Sequence, residues 1–144
     1  MSTRSYIAKK QPDETFKAVY CHFDGYPEGV GQTLVDSFTD ENKVDKLLKL
    51  GSLSYLRDDI ETQNNFKTFP IRGNEIELKD VTMAYHRDRG DDLEINEFSN
   101  LETMLDYFDK SWGDYLYLFE NVWLVKNDDN DFFMEVKEVL NENS

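Results

Sequence analysis

Two pairs of short β-branched and aromatic segments constrain the fold of this chain more than any other feature. Residues 4–9 (RSYIAK) and 16–21 (FKAVYC) are separated only by KQPDET, where Pro12 and Asp13 favour a turn, so the pair predicts a β-hairpin. Residues 115–119 (YLYLF) and 122–126 (VWLVK) flank Glu120-Asn121 and predict a second hairpin. Residues 80–87 (DVTMAYHR) predict a middle strand ending in the charged turn DRGDD.

Helical spacing appears between these strands. Val30, Leu34, Val35 and Phe38 recur at helical intervals after DGYPEG. Thr39 or Asp40 then caps a helix whose apolar stripe is Val44, Leu47 and Leu48, with Gly51 placed to end it. Residues 52–56 (SLSYL) predict a further short helical turn, and residues 57–80 are the least regular part. Ser99 or Asn100 caps a helix that carries Leu101, Met104, Leu105 and Phe108 on one face. Residues 131–140 (DFFMEVKEVL) start as a strand and finish as a helix, and the polar end near 141–144 frays. The expected architecture is a single α+β domain over residues 1–144, an antiparallel sheet of two hairpins and a middle strand packed with about three helices. An apolar content of 39%, with 14% aromatic residues, supplies a packed core despite the high charge.

Charge is unevenly placed. Residues 1–72 hold 11 acids and 10 basic residues, a net −1, whereas residues 73–144 hold 19 acids and 6 basic residues, a net −13. That field repels nucleic acid and anionic membranes, so direct binding to either is not expected. It serves solubility, or it forms an acidic face that docks on a basic, nucleic-acid-binding surface of another protein. Asp91, Asp92, Glu94, Glu97, Asp128, Asp129 and Asp131 are the residues expected to carry such an interaction. The single cysteine, Cys21, excludes an internal disulfide framework, no apolar run has the length of a membrane span, and the first residues lack a secretory pattern. A cytoplasmic protein is expected.

The stretch YCHFDGYPEGVGQTL (20–34) invites a phosphate-loop reading, because glycine-rich turns entering a helix present N–H groups to anions. Five residues separate Gly25 from Gly31 where the phosphate loop has four, and Gln32-Thr33 stands where Lys-Ser/Thr belongs. The stretch is better read as a corner: Asp24-Gly25 turns the chain, Pro27 starts a helix, and the following glycines allow close packing on the sheet.

His-x-Asp occurs twice, as His22-Phe23-Asp24 and His86-Arg87-Asp88. On strands each pair shares a face, and two such strands side by side offer His22, Asp24, His86 and Asp88 to one metal. The alternative is that each histidine bonds to its own aspartate or to backbone at a strand end. No third histidine and no cysteine pair support a metal, and no cofactor is indicated. Arg87 and Arg89 lie in an acidic half, where arginines act as internal counter-ions or grip a ligand phosphate together with the His22, Asp24 and Tyr26 corner. No nucleophile elbow is present. Cys21 is expected in the core, and Tyr115, Tyr117, Phe119 and Trp123 in hairpin packing.

The blocks STRSYIA, VYCHFDGYPEGVGQTL, NKVDKLLKLGSLSYL, AYHRDRGDD and YLYLF…VWLV together resemble a family of small phage and prophage proteins. That family carries a Thr-Arg-Ser start, a Y-C-H-[FW]-D-G-Y-P core, a K-V…L…L-G-x-[IL]-S stretch and an R-D-R-G element. The resemblance is close over about residues 2–56 and scattered beyond. It singles out Arg4, Tyr20, His22, Asp24, Gly25, Tyr26, Pro27, Arg87, Asp88, Arg89 and Gly90. Residues 57–80 match no block, and the pattern fixes no histidine at position 86. The resemblance implies a phage-borne accessory protein and no particular reaction. The leading expectation is therefore a non-enzymatic protein whose acidic half binds and inhibits or modulates a host protein with a basic surface, as DNA mimics do. The alternatives are a sequestering binder of a small phosphorylated or nucleotide ligand and a metal-dependent hydrolase. Oligomeric state is not legible.

Overall fold

The computed structural model describes residues 3–60, 81–111, 113–129 and 132–142, apart from the Arg89 side chain. The first hairpin forms as the sequence predicts, from β1 (Ser5–Lys10) and β2 (Phe16–Cys21), paired antiparallel with Ile7 opposite Val19. Pro27–Gly31 makes one π-helical turn with Pro27 at its start, and α1 (Gln32–Ser37) continues from it. Asp40 caps α2 (Glu41–Lys49) by accepting from the Asn42 N–H, an arrangement that stabilises a helix by about 1 kcal/mol. Gly51, at φ 78°, ends this helix in the left-handed conformation that glycine adopts without a Cβ clash.

The next two expectations need correction. Residues 53–55 are not helical but form β3 (Leu53–Tyr55), which pairs parallel to Cys21 of β2 and buries Leu53 and Ser54. A short apolar run fits a buried strand or a helical turn equally, and the pairing decides. The middle strand is much shorter than predicted, since β4 holds only Met83–Ala84, antiparallel to β3, and α3 (Tyr85–Arg89) follows at once. The Asp88 carboxylate turns the chain there by accepting the Ala84 N–H at 2.7 Å, and Gly90 at φ 74° ends the helix. Most of the irregular stretch 57–80 lies outside the described residues.

β5 (Asn96–Phe98) pairs antiparallel with β2, and Asn100 caps α4 (Leu101–Lys110) by accepting from the Thr103 N–H at 2.8 Å. The second hairpin is β6 (Tyr115–Glu120) and β7 (Val122–Asn127). The C-terminal segment begins as a strand and ends as a helix, β8 (Met134–Glu135) and α5 (Val136–Glu142). The strands form one eight-stranded sheet, ordered β4-β3-β2-β1-β6-β7-β8, with β5 also on β2. The sheet is mixed rather than antiparallel, because β1 runs parallel to β6 and joins the two hairpins at its centre. Five α-helices are described, more than expected.

Strand alternation gives the sheet two apolar faces. Ile7, Val19, Cys21, Tyr117, Trp123 and Val125 pack with Leu34, Phe38, Val44, Leu47 and Val136 from the helices and the segments beside them. Ala8, Phe16, Ala18, Leu116 and Leu118 pack under Met104 and Phe108 of α4. Cys21 is fully buried, which pushes its thiol pKa up to about 12. Among the described residues no helix is long and apolar enough to cross a membrane.

Candidate functional site

The α4 face of the sheet is covered only in part. Tyr6 and Ala8 of β1 share this face with Ala18 and Tyr20 of β2 and with Leu116 and Leu118 of β6. The helix covers the alanines and leucines, but it ends at Lys110, near the Tyr6 and Tyr20 row. The remaining space is a cleft of about 650 Å³, lined among others by Arg4, Tyr6, Tyr20, Glu94, Tyr107 and Lys110. That size lies within the usual range of small-molecule sites.

Aromatic rings form its floor and wall. The Tyr6 ring lies 5.6 Å from Tyr20 and meets Tyr107 edge-on at 5.7 Å, while Phe98 stands 5.3 Å from Tyr107. A Cβ at Gly113 would come within 3.1 Å of the Tyr6 and Phe108 rings, so a larger residue there would disturb the floor. Burial, followed by the Tyr107 hydroxyl, pushes the Tyr6 pKa up to about 12. At neutral pH the Tyr6 hydroxyl is therefore a hydrogen-bond donor and not a base. The Tyr20 hydroxyl lies 2.6 Å from His22 Nδ1. Burial raises the Tyr20 pKa, and the nearby positive charge of Arg4 opposes that shift.

Arg4 is held by its backbone. Its N–H donates to Asp114 Oδ2 at 3.1 Å, and its carbonyl accepts the Asp114 N–H at 2.8 Å. The guanidinium itself has no hydrogen bond or ion pair among the described residues. Lys110, by contrast, pairs with Asp106 at 3.1 Å within the exposed face of α4. The cleft therefore presents one uncommitted, half-buried cation beside several aromatic rings.

The residues expected from sequence are distributed differently. His22 is half-buried at the edge of this region, bonded to Tyr20, with its ring edge-on to Phe23 at 4.5 Å. Asp24 sits in the left-handed region at φ 60°, where its carbonyl accepts the Val30 N–H at 2.8 Å and its carboxylate accepts the Tyr26 hydroxyl at 3.3 Å. Tyr26 is exposed. The corner is thus organised around its own turn, as the spacing argument implies.

Arg87 faces inward. It donates to Asp88 at 2.8 and 3.1 Å, to the Thr82 carbonyl at 2.8 Å and to the Ile60 carbonyl. Asp88 is fully buried and holds both Arg87 and the Ala84 N–H. This is the internal counter-ion arrangement rather than a ligand grip, and Arg89's side chain lies outside the described residues. The shared-strand premise for a metal site fails as well. His86 is on α3, where it bonds the Asp91 carbonyl at 2.7 Å, and His22 and Asp24 lie beyond the end of β2. Among the described residues no group of three or more His, Cys, Asp or Glu side chains is placed to hold a metal.

Asp91, Asp92, Glu94 and Glu97 are exposed along one segment, with Glu97 3.9 Å from Lys17. Asp128 and Asp129 are exposed just after β7, at the same strand end, since Asn127 is level with Tyr115 and Ser5, but β2, β1 and β6 lie between β7 and β5. Asp131 lies outside the described residues. The described acids therefore fall into two groups, one beside β5 and one after β7.

Sequence reasoning named neither Tyr6, Tyr107 nor Lys110. The motif blocks of the resemblance contained Arg4 and Tyr20, and the alternation in RSYIAK puts Arg4 and Tyr6 on one face. Compared with protein families, curated proteins and solved structures, the chain matches none of them.

Proposed function

We propose that this protein binds a small anionic ligand carrying a flat ring, of the phosphorylated nucleotide class, in the cleft between the sheet and the end of α4. The observation that carries this reading is the Arg4 guanidinium, half-buried beside Tyr20 and without an acidic partner among the described residues, in a chain with 30 acids and 16 basic residues. A cation left uncommitted in such an acidic chain is suited to an anion from outside, and partial burial reduces the screening of that attraction. The Tyr6 and Tyr107 rings supply flat surface, and the protonated Tyr6 hydroxyl supplies a donor. Native mass spectrometry against a nucleotide panel tests the proposal. A one-to-one complex that Arg4→Ala abolishes supports it, and absence of any complex refutes it.

A second reading keeps the acidic surface as a docking site for a basic host protein. It is favoured by the exposure of Asp91, Asp92, Glu94 and Glu97 in one continuous segment where, among the described residues, Glu97 alone has an ion pair, with Lys17 at 3.9 Å. Such an association weakens steeply as salt rises. A partner captured from host lysate that stays bound from low to high salt would remove its basis.

A further inference from the structure

The cleft contains a second uncommitted charge. Glu94 lines it, the residue is exposed, and its carboxylate has no ion pair or hydrogen bond among the described residues. Its backbone lies close to Gly51, where a Cβ would stand 3.1 Å from the Glu94 carbonyl oxygen. Asn96 lines the same wall. Arg4 enters the cleft just before β1 and Glu94 just before β5, with β2 lying between those two strands. The cation and the carboxylate therefore stand across Tyr20 from each other, about two strand spacings or ~10 Å apart at the backbone. A lone phosphate cannot engage both, and a lone base leaves the cation unanswered.

Resting on the ligand-binding reading above, we infer that the cleft selects a guanine nucleotide, with its phosphate at Arg4 and the hydrogen-bonding edge of its base at Glu94. An ionised carboxylate only accepts hydrogen bonds. Guanine offers two adjacent donors on one edge, the N1–H and the 2-amino group, which match the two carboxylate oxygens in the parallel geometry that strengthens charge-assisted pairs. Adenine and cytosine place a ring-nitrogen lone pair beside their amino group, and uracil flanks a single N–H with two carbonyls. Each of these sets an acceptor against the carboxylate. The Asn96 amide has both a donor and an acceptor for the groups beside that edge.

Calorimetric titration of the whole protein with GMP, AMP and guanosine tests this assignment. The wild type is expected to bind GMP at least about tenfold more tightly than AMP, the scale of one hydrogen-bonded charge contact. Glu94→Gln, at an exposed position, should fold normally and lose most of that preference while retaining AMP affinity. Arg4→Ala should weaken GMP and AMP by a similar factor and bring GMP close to guanosine. Equal binding of AMP and GMP by the wild type, or an unchanged ratio in Glu94→Gln, overturns the guanine assignment and leaves the cleft as an anion-binding site. Failure of every nucleotide to bind overturns both.

Discussion

The Tyr117 hydroxyl donates a buried hydrogen bond of 2.6 Å to the Gly25 carbonyl, joining the central strand β6 to the corner that follows β2. These residues are far apart in sequence. The bond fixes the corner against the sheet, beside the start of the π-helical turn. Tyr117→Phe leaves that buried carbonyl without a donor and is expected to destabilise the fold by about 1 to 3 kcal/mol. Chemical denaturation would show this as a lower midpoint with an unchanged slope.

Asp88 performs a comparable role around α3. Its side chain is fully buried, and it accepts from Arg87 and from the Ala84 N–H. Asp88→Ala strands the guanidinium and the amide together, and breaking such a pair costs about 3 kcal/mol or more. A thermal melt several degrees below wild type is the expected result. A melt equal to wild type would show that these contacts do not support the fold.

Alkaline pH should destabilise the protein. Burial pushes Cys21 from 9.0 to about 12 and Tyr6 from 10.0 to about 12. Both groups keep their protons in the folded chain at pH values where the unfolded chain has released them. The unfolded state binds fewer protons there, so stability falls as pH rises above about 9 and continues to fall to about 12. Melting temperatures recorded from pH 8 to 11 should decline, and Cys21→Ala should decline less. The native thiol should also resist alkylation until the chain unfolds.

The two hairpins, the Asp40 and Asn100 caps and the strand-to-helix ending were legible because each depends on neighbours in sequence. The parallel pairing of β1 with β6 was not, since nothing local in RSYIAK specifies a partner so distant along the chain. SLSYL shows the same limit, because it becomes a strand only where Cys21 is available to pair with Leu53. The candidate site followed this pattern. His22 and Tyr20 stood out in a motif, but the cleft exists because α4 ends short of the Tyr6 and Tyr20 row, and helix placement is a tertiary property. Arg87 attracted attention through its charge, which the fold directs to Asp88.

The most direct test of the central claim compares nucleotide binding by wild type, Arg4→Ala and Lys10→Ala under identical conditions. Lys10 stands at the opposite end of β1 and pairs with Glu120 at 3.3 Å, so its loss changes net charge equally without touching the cleft. Calorimetry should show affinity reduced at least about tenfold by Arg4→Ala, the scale of a lost charge-assisted contact, and little changed by Lys10→Ala. Equal affinities for wild type and Arg4→Ala would contradict the claim that the uncommitted guanidinium anchors the ligand.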